Sequence, residues 1–382
     1  MNPTDTLYGI PCSLYTAKAR SYLRKQGIPF REYSVTSPEY LSEVLPEIRR
    51  TIMPVWATAA GRIIQDSADI IRFNEHLSAS KYPALPDAPV LGAISYLFEL
   101  FGGEGLLRPA MHYRWNFDEI NLDYLRSEFR CLAPEGMNEA DWPGVFDFAS
   151  GRMRKAARSF GVNDDSAPLI EASYSEFLQL FEAHLGTFPY LLGGRPTLGD
   201  YALMGPLYAH LYRDPYPGQL MRRKAPLVAR WVERMNTSEE NWADYKNAST
   251  DLVSESDLPE TLLALMRFIA ADFLPEIVAH IDFTNKWLAS KPDLQAGSNG
   301  LDDPTQRFIG MTQFSWRGIE LRTSVIPYRF YLLQYLQDAH SQAGGAEQRA
   351  IESIFTDCGL SSLLTTRTTR RVARQDHLEV WE

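Results

Sequence analysis

A chain of 382 residues with 45% apolar and 12% aromatic side chains has material for two or three domains and a large buried core. Its formal charge of −10 excludes a general electrostatic attraction to nucleic acid or to an anionic membrane. The start Met1–Asp5 lacks the basic region and apolar run of a signal peptide, and no uninterrupted apolar run reaches membrane-spanning length. Cys12, Cys131 and Cys358 form neither a CxxC pair nor a disulfide framework, and the seven histidines lack the spacing of metal ligands. A reduced, cytoplasmic, metal-free protein is the expectation.

The first 80 residues alternate strand and helix signals. Leu7–Ile10 and Phe30–Val35 read as strands on either side of a helix over Leu14–Gln26, whose apolar face is Tyr15, Ala19, Tyr22 and Leu23. A crossover of that length makes the two strands parallel neighbours in a right-handed unit. Ser13 stands at the N-cap and Gly27 supplies the stop. Cys12 and Ser13 therefore place a thiol and a hydroxyl at a helix N-terminus, where backbone N–H groups stabilise an anion. On local pattern alone, Ser13 is equally a plain cap. A polar segment with a short helix covers Pro38–Arg50. Val55–Thr58 and Arg62–Ile64 form a hairpin about Ala59-Ala60-Gly61, and a helix runs from Asp66-Ser67 through Phe73.

Residues 81–90 form a proline-rich linker, and beyond them the signal is almost wholly helical. Leu91–Phe101, Asn116–Leu132, Trp142–Phe160 and Ser173–Leu185 are predicted helices. Thr197-Leu198-Gly199-Asp200 is a capping box before a buried helix over Tyr201–Leu211. Pro259–Leu288 is helical with a kink or break at Pro275. A loop over Lys291–Pro304 precedes further helix over Ile309–Leu321 and Pro327–Gln337. Arg367, Arg370, Arg371 and Arg374 read as a solvated or salt-bridged face. The predicted domains are 1–80, a helical domain over 91–248, and a helical extension over 249–382 packed on it.

Four stretches together resemble the cytosolic glutathione transferases. They are the Leu7–Phe30 strand-helix-strand, Met53-Pro54-Val55, Gln65-Asp66-Ser67-Ala68-Asp69-Ile70, and Gly194–Asp200. The resemblance is close over about residues 5–80 and loose over 90–245. It implies a thioredoxin-like α/β domain followed by an all-α domain, with glutathione as co-substrate and a small electrophile or peroxide as substrate. It implies that Ser13 activates the thiol. Cys12, one residue early, is the adjacent alternative, suited to thiol–disulfide exchange. Met53, through a cis peptide to Pro54, would pair with the cysteinyl part of the tripeptide. Ser67 would take the γ-glutamyl carboxylate, Asp66 its ammonium, and Arg50 (or Arg49) the glycyl carboxylate, with Gln65 at the edge. His112, Tyr113, Arg114 and Trp115 fall where the family builds its electrophile pocket. A homodimer is the common assembly of such proteins. Two other readings stay open: a transferase-like binding or scaffold protein without turnover, and a Cys12-dependent thiol transferase or lyase.

Overall fold

The computed structural model describes residues 4–77, 80–246 and 249–382. The expected domain boundary at 248 falls outside the described residues. The first unit contains β1 (Thr6–Tyr8), α1 (Leu14–Lys25), β2 (Arg31–Tyr33), a π-turn over Tyr40–Val44, α2 (Leu45–Ile48), β3 (Val55–Ala57), β4 (Ile63–Gln65) and α3 (Ser67–Leu77). The strands lie in the order β2-β1-β3-β4. β1 is parallel to β2 and antiparallel to β3, which pairs antiparallel with β4. This is the expected thioredoxin-like sheet. Its β3–β4 hairpin turns at Gly61, whose φ of 82° suits a residue without Cβ.

The helical domain follows as α4 (Pro89–Leu100), a π-turn over Phe101–Gly105, α5 (Leu107–Trp115), α6 (Asp118–Phe129), α7 (Trp142–Ser159), α8 (Ala167–Leu185), α9 (Leu198–Ala209), α10 (Pro215–Lys224) and α11 (Pro226–Met235). Pro89–Trp115 runs as 27 helical residues apolar enough to cross a membrane, but 94% of its apolar window is buried inside the protein. Glu99, Glu104 and Arg108 interrupt its apolar run, and its apolarity is that of a core helix. The capping box forms: Thr197 and Asp200 satisfy each other's backbone N–H at the start of α9. Asp200 Oδ1 also accepts from Leu191 N at 2.9 Å, so the box fixes the preceding loop.

Two domains become one body through α1, which packs on α9, and through a buried ion triad. Lys18 on α1 and Arg72 on α3 each reach Glu99 on α4 at 2.6 Å. Burial would push the Glu99 carboxyl up, but Arg72 and Lys18 together hold it below its ordinary value.

The extension comprises α12 (Glu260–Asp272), α13 (Leu274–Ala289), β5 (Gly310–Trp316), β6 (Ile319–Val325), α14 (Tyr328–Gln342), α15 (Gly345–Asp357), α16 (Ser361–Thr365), β7 (Val372–Gln375) and β8 (Leu378–Trp381). The helix break expected at Pro275 occurs at Phe273, which leaves the proline in the first turn of α13 where its missing N–H costs nothing. The helix expected over Ile309–Leu321 is instead an antiparallel hairpin turning on Arg317 (φ 48°) and Gly318 (φ 86°). Thr312–Trp316 alternates along that strand, with Phe314 and Trp316 buried, and that period of two belongs to a sheet. A second hairpin closes the chain over Asp376 and His377, both at positive φ. The extension packs on the helical domain through α14 and α4, and it also reaches the sheet of the first domain.

Candidate functional site

The loop after β1 delivers Ser13 to the N-cap of α1, where its Oγ accepts from Thr16 N at 3.3 Å. As an acceptor there, the hydroxyl keeps its own hydrogen to donate. Ser13 is half-buried. Arg20 fixes this corner from below: it donates to Ile10 O at 3.2 Å while paired with Glu32 at 2.5 Å.

Cys12 sits in a different environment. It is 1% exposed among Ile10, Met111 and Trp115, and its carbonyl accepts from Arg114 Nη1 at 3.0 Å. Burial pushes the thiol up to about 11, outweighing the pull of Arg114. A thiol so protonated is a packing group, and nothing in this geometry favours it as a nucleophile.

The Met53–Pro54 peptide is cis, as expected. Pro54 O accepts from Asp66 N at 3.1 Å, joining the turn to the start of α3. Among the described residues, the Met53 N–H and C=O make no hydrogen bond to protein. Asp66 has a φ of 88°, a left-handed conformation that short polar residues tolerate best. Its Oδ1 caps α3 by accepting from Ala68 N at 2.8 Å. Ser67 beside it is fully buried, and its Oγ has no partner. A buried hydroxyl left unpaired costs free energy until something bonds it. That orphaned donor at a helix N-terminus fits a ligand carboxylate.

The C-terminal hairpin and α14 meet the remaining expected contacts. Tyr328 Oη donates to Asp66 Oδ1 at 2.9 Å, and Tyr331 Oη donates to Asp69 Oδ1 at 2.6 Å. Arg374 Nη1 donates to Gln65 Oε1 at 3.0 Å and to Glu379 Oε1 at 3.2 Å. Its Nε lies 2.7 Å from Asp69 Oδ2 as a close ion contact, and Nη2 is 3.9 Å from Asp66 Oδ2. Arg50 donates to Gln65 Oε1 at 3.0 Å, to Glu379 Oε2 at 3.3 Å, and to the carbonyl of His377. Burial opposes ionisation of Glu379, yet Arg307, Arg374 and Arg50 together pull it down to about 2. For Asp69 burial wins over Arg374, and its carboxyl is pushed up.

His112, Tyr113, Arg114 and Trp115, expected in the electrophile pocket, are all buried on α5 and bonded or packed within the protein. Arg114 clamps Asp214 at 2.7 Å as well as the Cys12 carbonyl, so it ties the thiol corner to the helical domain. His112 bonds Glu171, Tyr113 stacks on Phe117, and Trp115 lies edge-on to Phe129. Between the domains runs a buried ionic chain instead. Tyr15 donates to Glu104, and Arg329 bridges Glu104 at 3.1 Å and Glu276 at 2.6 Å, with Arg108 also on Glu276 at 2.6 Å. His280 beside it is pushed down to about 3 by burial and by Arg329. Local sequence gives no sign that Tyr328, Arg374 or Glu379 would join this site; Arg374 stood out only as one of several tail arginines.

Residues 7–81 match the glutathione S-transferase N-terminal domain, and residues 162–239 match the glutathione S-transferase C-terminal domain. Solved structures that resemble the chain include a possible glutathione S-transferase from Rhodopseudomonas palustris, at 21% identity and a TM-score of 0.35 over 62% of this chain and 94% of that one. The glutathione transferase GSTFuA3 from Phanerochaete chrysosporium matches at 15% identity and a TM-score of 0.44, over 63% and 99%. A glutathione S-transferase from Ceriporiopsis subvermispora, solved with glutathione, matches at 18% identity and a TM-score of 0.39, over 62% and 98%. No curated protein matches the sequence.

Proposed function

We propose, from the premise that the chain belongs to the glutathione S-transferase family through its N- and C-terminal transferase domains, that it binds glutathione in the cradle between Met53 and Ser67 and activates the thiol through Ser13. The observation that carries this reading is the buried Ser67 hydroxyl with no protein partner, standing after cis-Pro54 and Asp66 at the start of α3. A γ-glutamyl carboxylate would complete it. The free backbone groups of Met53 suit the cysteinyl amide, Asp66 suits the ammonium, and Arg50 suits the glycyl carboxylate.

The chemistry then follows from proton placement. A free thiol of this kind has a pKa of roughly 8.5, so little thiolate exists at neutral pH. The Ser13 hydroxyl, its oxygen already bonded to Thr16 N, donates its hydrogen to the sulfur and stabilises the anion at the N-terminus of α1. The thiol's own proton passes to solvent, and the thiolate forms a bond to an electrophilic carbon, whose leaving group departs with the electron pair.

Titration of the full chain with glutathione, followed by conjugation of an activated aryl halide, tests the reading. Ser13→Ala is expected to lower conjugation roughly 100-fold, while Cys12→Ala leaves it intact. The reverse pattern would overturn the role of Ser13, and no binding of glutathione would overturn the cradle. A second reading, a transferase-fold binding protein without turnover, is favoured by the hairpin side chains in the cradle. Glutathione binding without conjugation across an electrophile panel would establish it. The homodimer and the electrophile class remain expectations drawn from the family.

A further inference from the structure

We infer that the C-terminal hairpin is an internal occupant of the cradle that competes with glutathione for Gln65, Asp66 and Arg50. The inference rests on the glutathione reading above and goes on to the regulation of that site.

The charges match in kind, with Arg374 and Arg50 meeting on Gln65 Oε1. Glutathione brings an ammonium to one end of the cradle and a carboxylate to the other. The hairpin brings the Arg374 guanidinium to Gln65 and Asp66, and the Glu379 carboxylate to Arg50. The His377 carbonyl adds a second acceptor on Arg50. Aromatic faces hold the guanidinium in place: its centre is 5.2 Å from the Tyr331 ring and 5.9 Å from that of Tyr328.

The imitation is incomplete in an informative way. Nothing on the hairpin reaches the Ser67 hydroxyl or the backbone groups of Met53, which are the contacts for the γ-glutamyl carboxylate and the cysteinyl residue. A bound tripeptide gains hydrogen bonds that the hairpin leaves unmade, so displacement has a driving force.

The hairpin is also built in two parts. Its base is anchored, with Val372 exchanging backbone bonds with the Gln334 side chain at 2.9 and 2.7 Å and Trp381 buried beside Trp287. Its tip, Gln375-Asp376, is exposed. Movement of the tip frees Arg50 and Gln65 without unpacking Trp381. Competition of this kind multiplies the intrinsic affinity by the fraction of molecules with an open cradle, so the apparent Kd rises, and glutathione must in turn favour the displaced hairpin.

Calorimetric titration of glutathione into the full-length protein and into an Arg374→Gln/Glu379→Gln variant tests the inference. The variant is expected to bind at least about tenfold more tightly. Ser67→Ala added to it should remove the gain. In the unsubstituted protein, amide exchange over residues 372–381 should speed up when glutathione is added, and this second measurement decides the matter if the variant does not fold. Equal affinities with unchanged exchange would overturn the hairpin's role while leaving the glutathione reading in place. Failure of both proteins to bind glutathione would overturn both.

Discussion

Arg374 and Gln65, 309 residues apart in the chain, meet at 3.0 Å inside the cradle of the first domain. The contact brings the last strands of the extension onto residues that we propose to face glutathione. It also gathers Arg50, Arg307 and Arg374 around the single carboxylate of Glu379.

That gathering makes hairpin docking sensitive to acid. Glu379 ionises at about 2 in the folded protein, against an ordinary value of 4.5. A depressed carboxyl contributes stability that is full above its unfolded value and is lost as pH falls through the folded one. The contribution is about 3 kcal/mol by the shift alone. Asp66, Asp69, Gln65 and the His377 carbonyl also face this cluster, and they are common to the wild type and to Glu379→Gln. The stability difference between those two proteins should therefore be largest above about pH 5 and shrink towards zero near pH 2. Urea denaturation at several pH values measures it, and a difference that does not change with pH would contradict the pairing.

Cys12 should be inert in the native state. Its thiol is 1% exposed and sits near pKa 11, so neither access nor thiolate fraction supports reaction at neutral pH. Labelling with an alkylating reagent, followed by peptide mapping, should leave Cys12 unmodified until the chain is unfolded. Rapid native labelling of Cys12 would restore it as a candidate nucleophile.

Glu99 holds the two domains together by neutralising Lys18 and Arg72, both within 2.6 Å. Glu99→Ala leaves two cations buried without a counter-charge and should cost about 3–5 kcal/mol. Replacing all three residues by apolar side chains of similar volume should cost far less, because the unpaired charge dominates the penalty. Chemical denaturation of the single and triple variants separates the two effects.

Two glycines in helical segments should respond in opposite directions to the same change. A Cβ at Gly102 would lie 2.6 Å from Leu203 N and 2.7 Å from the Ala202 carbonyl carbon, where backbone cannot yield. Gly102→Ala should destabilise by about 2 kcal/mol through forced separation of the π-turn from α9. Gly151, exposed on α7, has nothing within 4 Å of an added Cβ. Gly151→Ala should stabilise by about 0.5–1 kcal/mol. Thermal or urea midpoints of the two variants provide the check.

Much of the first domain, and the start of α9 in the second, is legible in the chain because the signals are local. Ser13 and Gly27 bracket α1, Pro54 marks the cis turn, Asp66-Ser67 opens α3, and Thr197 with Asp200 opens α9. Each is a cap, a proline or a glycine whose backbone consequence acts within a few residues. The β5–β6 hairpin replaces the expected helix because its apolar residues fit a helical count as well as an alternating one, and the Arg317-Gly318 turn together with pairing to β6 selects the sheet.

The sequence by itself thus determined the transferase-type framework and the corner where Ser13 and Cys12 stand side by side. Tertiary structure alone decided their fates, burying the thiol against Met111 and Trp115 while Ser13 stays half-exposed as a cap. It also set Arg374 and Glu379 in the cradle and turned His112–Trp115 inward. The physical reason is range. Capping and turn chemistry are fixed by neighbours in sequence, whereas burial, desolvation and ion pairing depend on which distant segments fold back onto the same space.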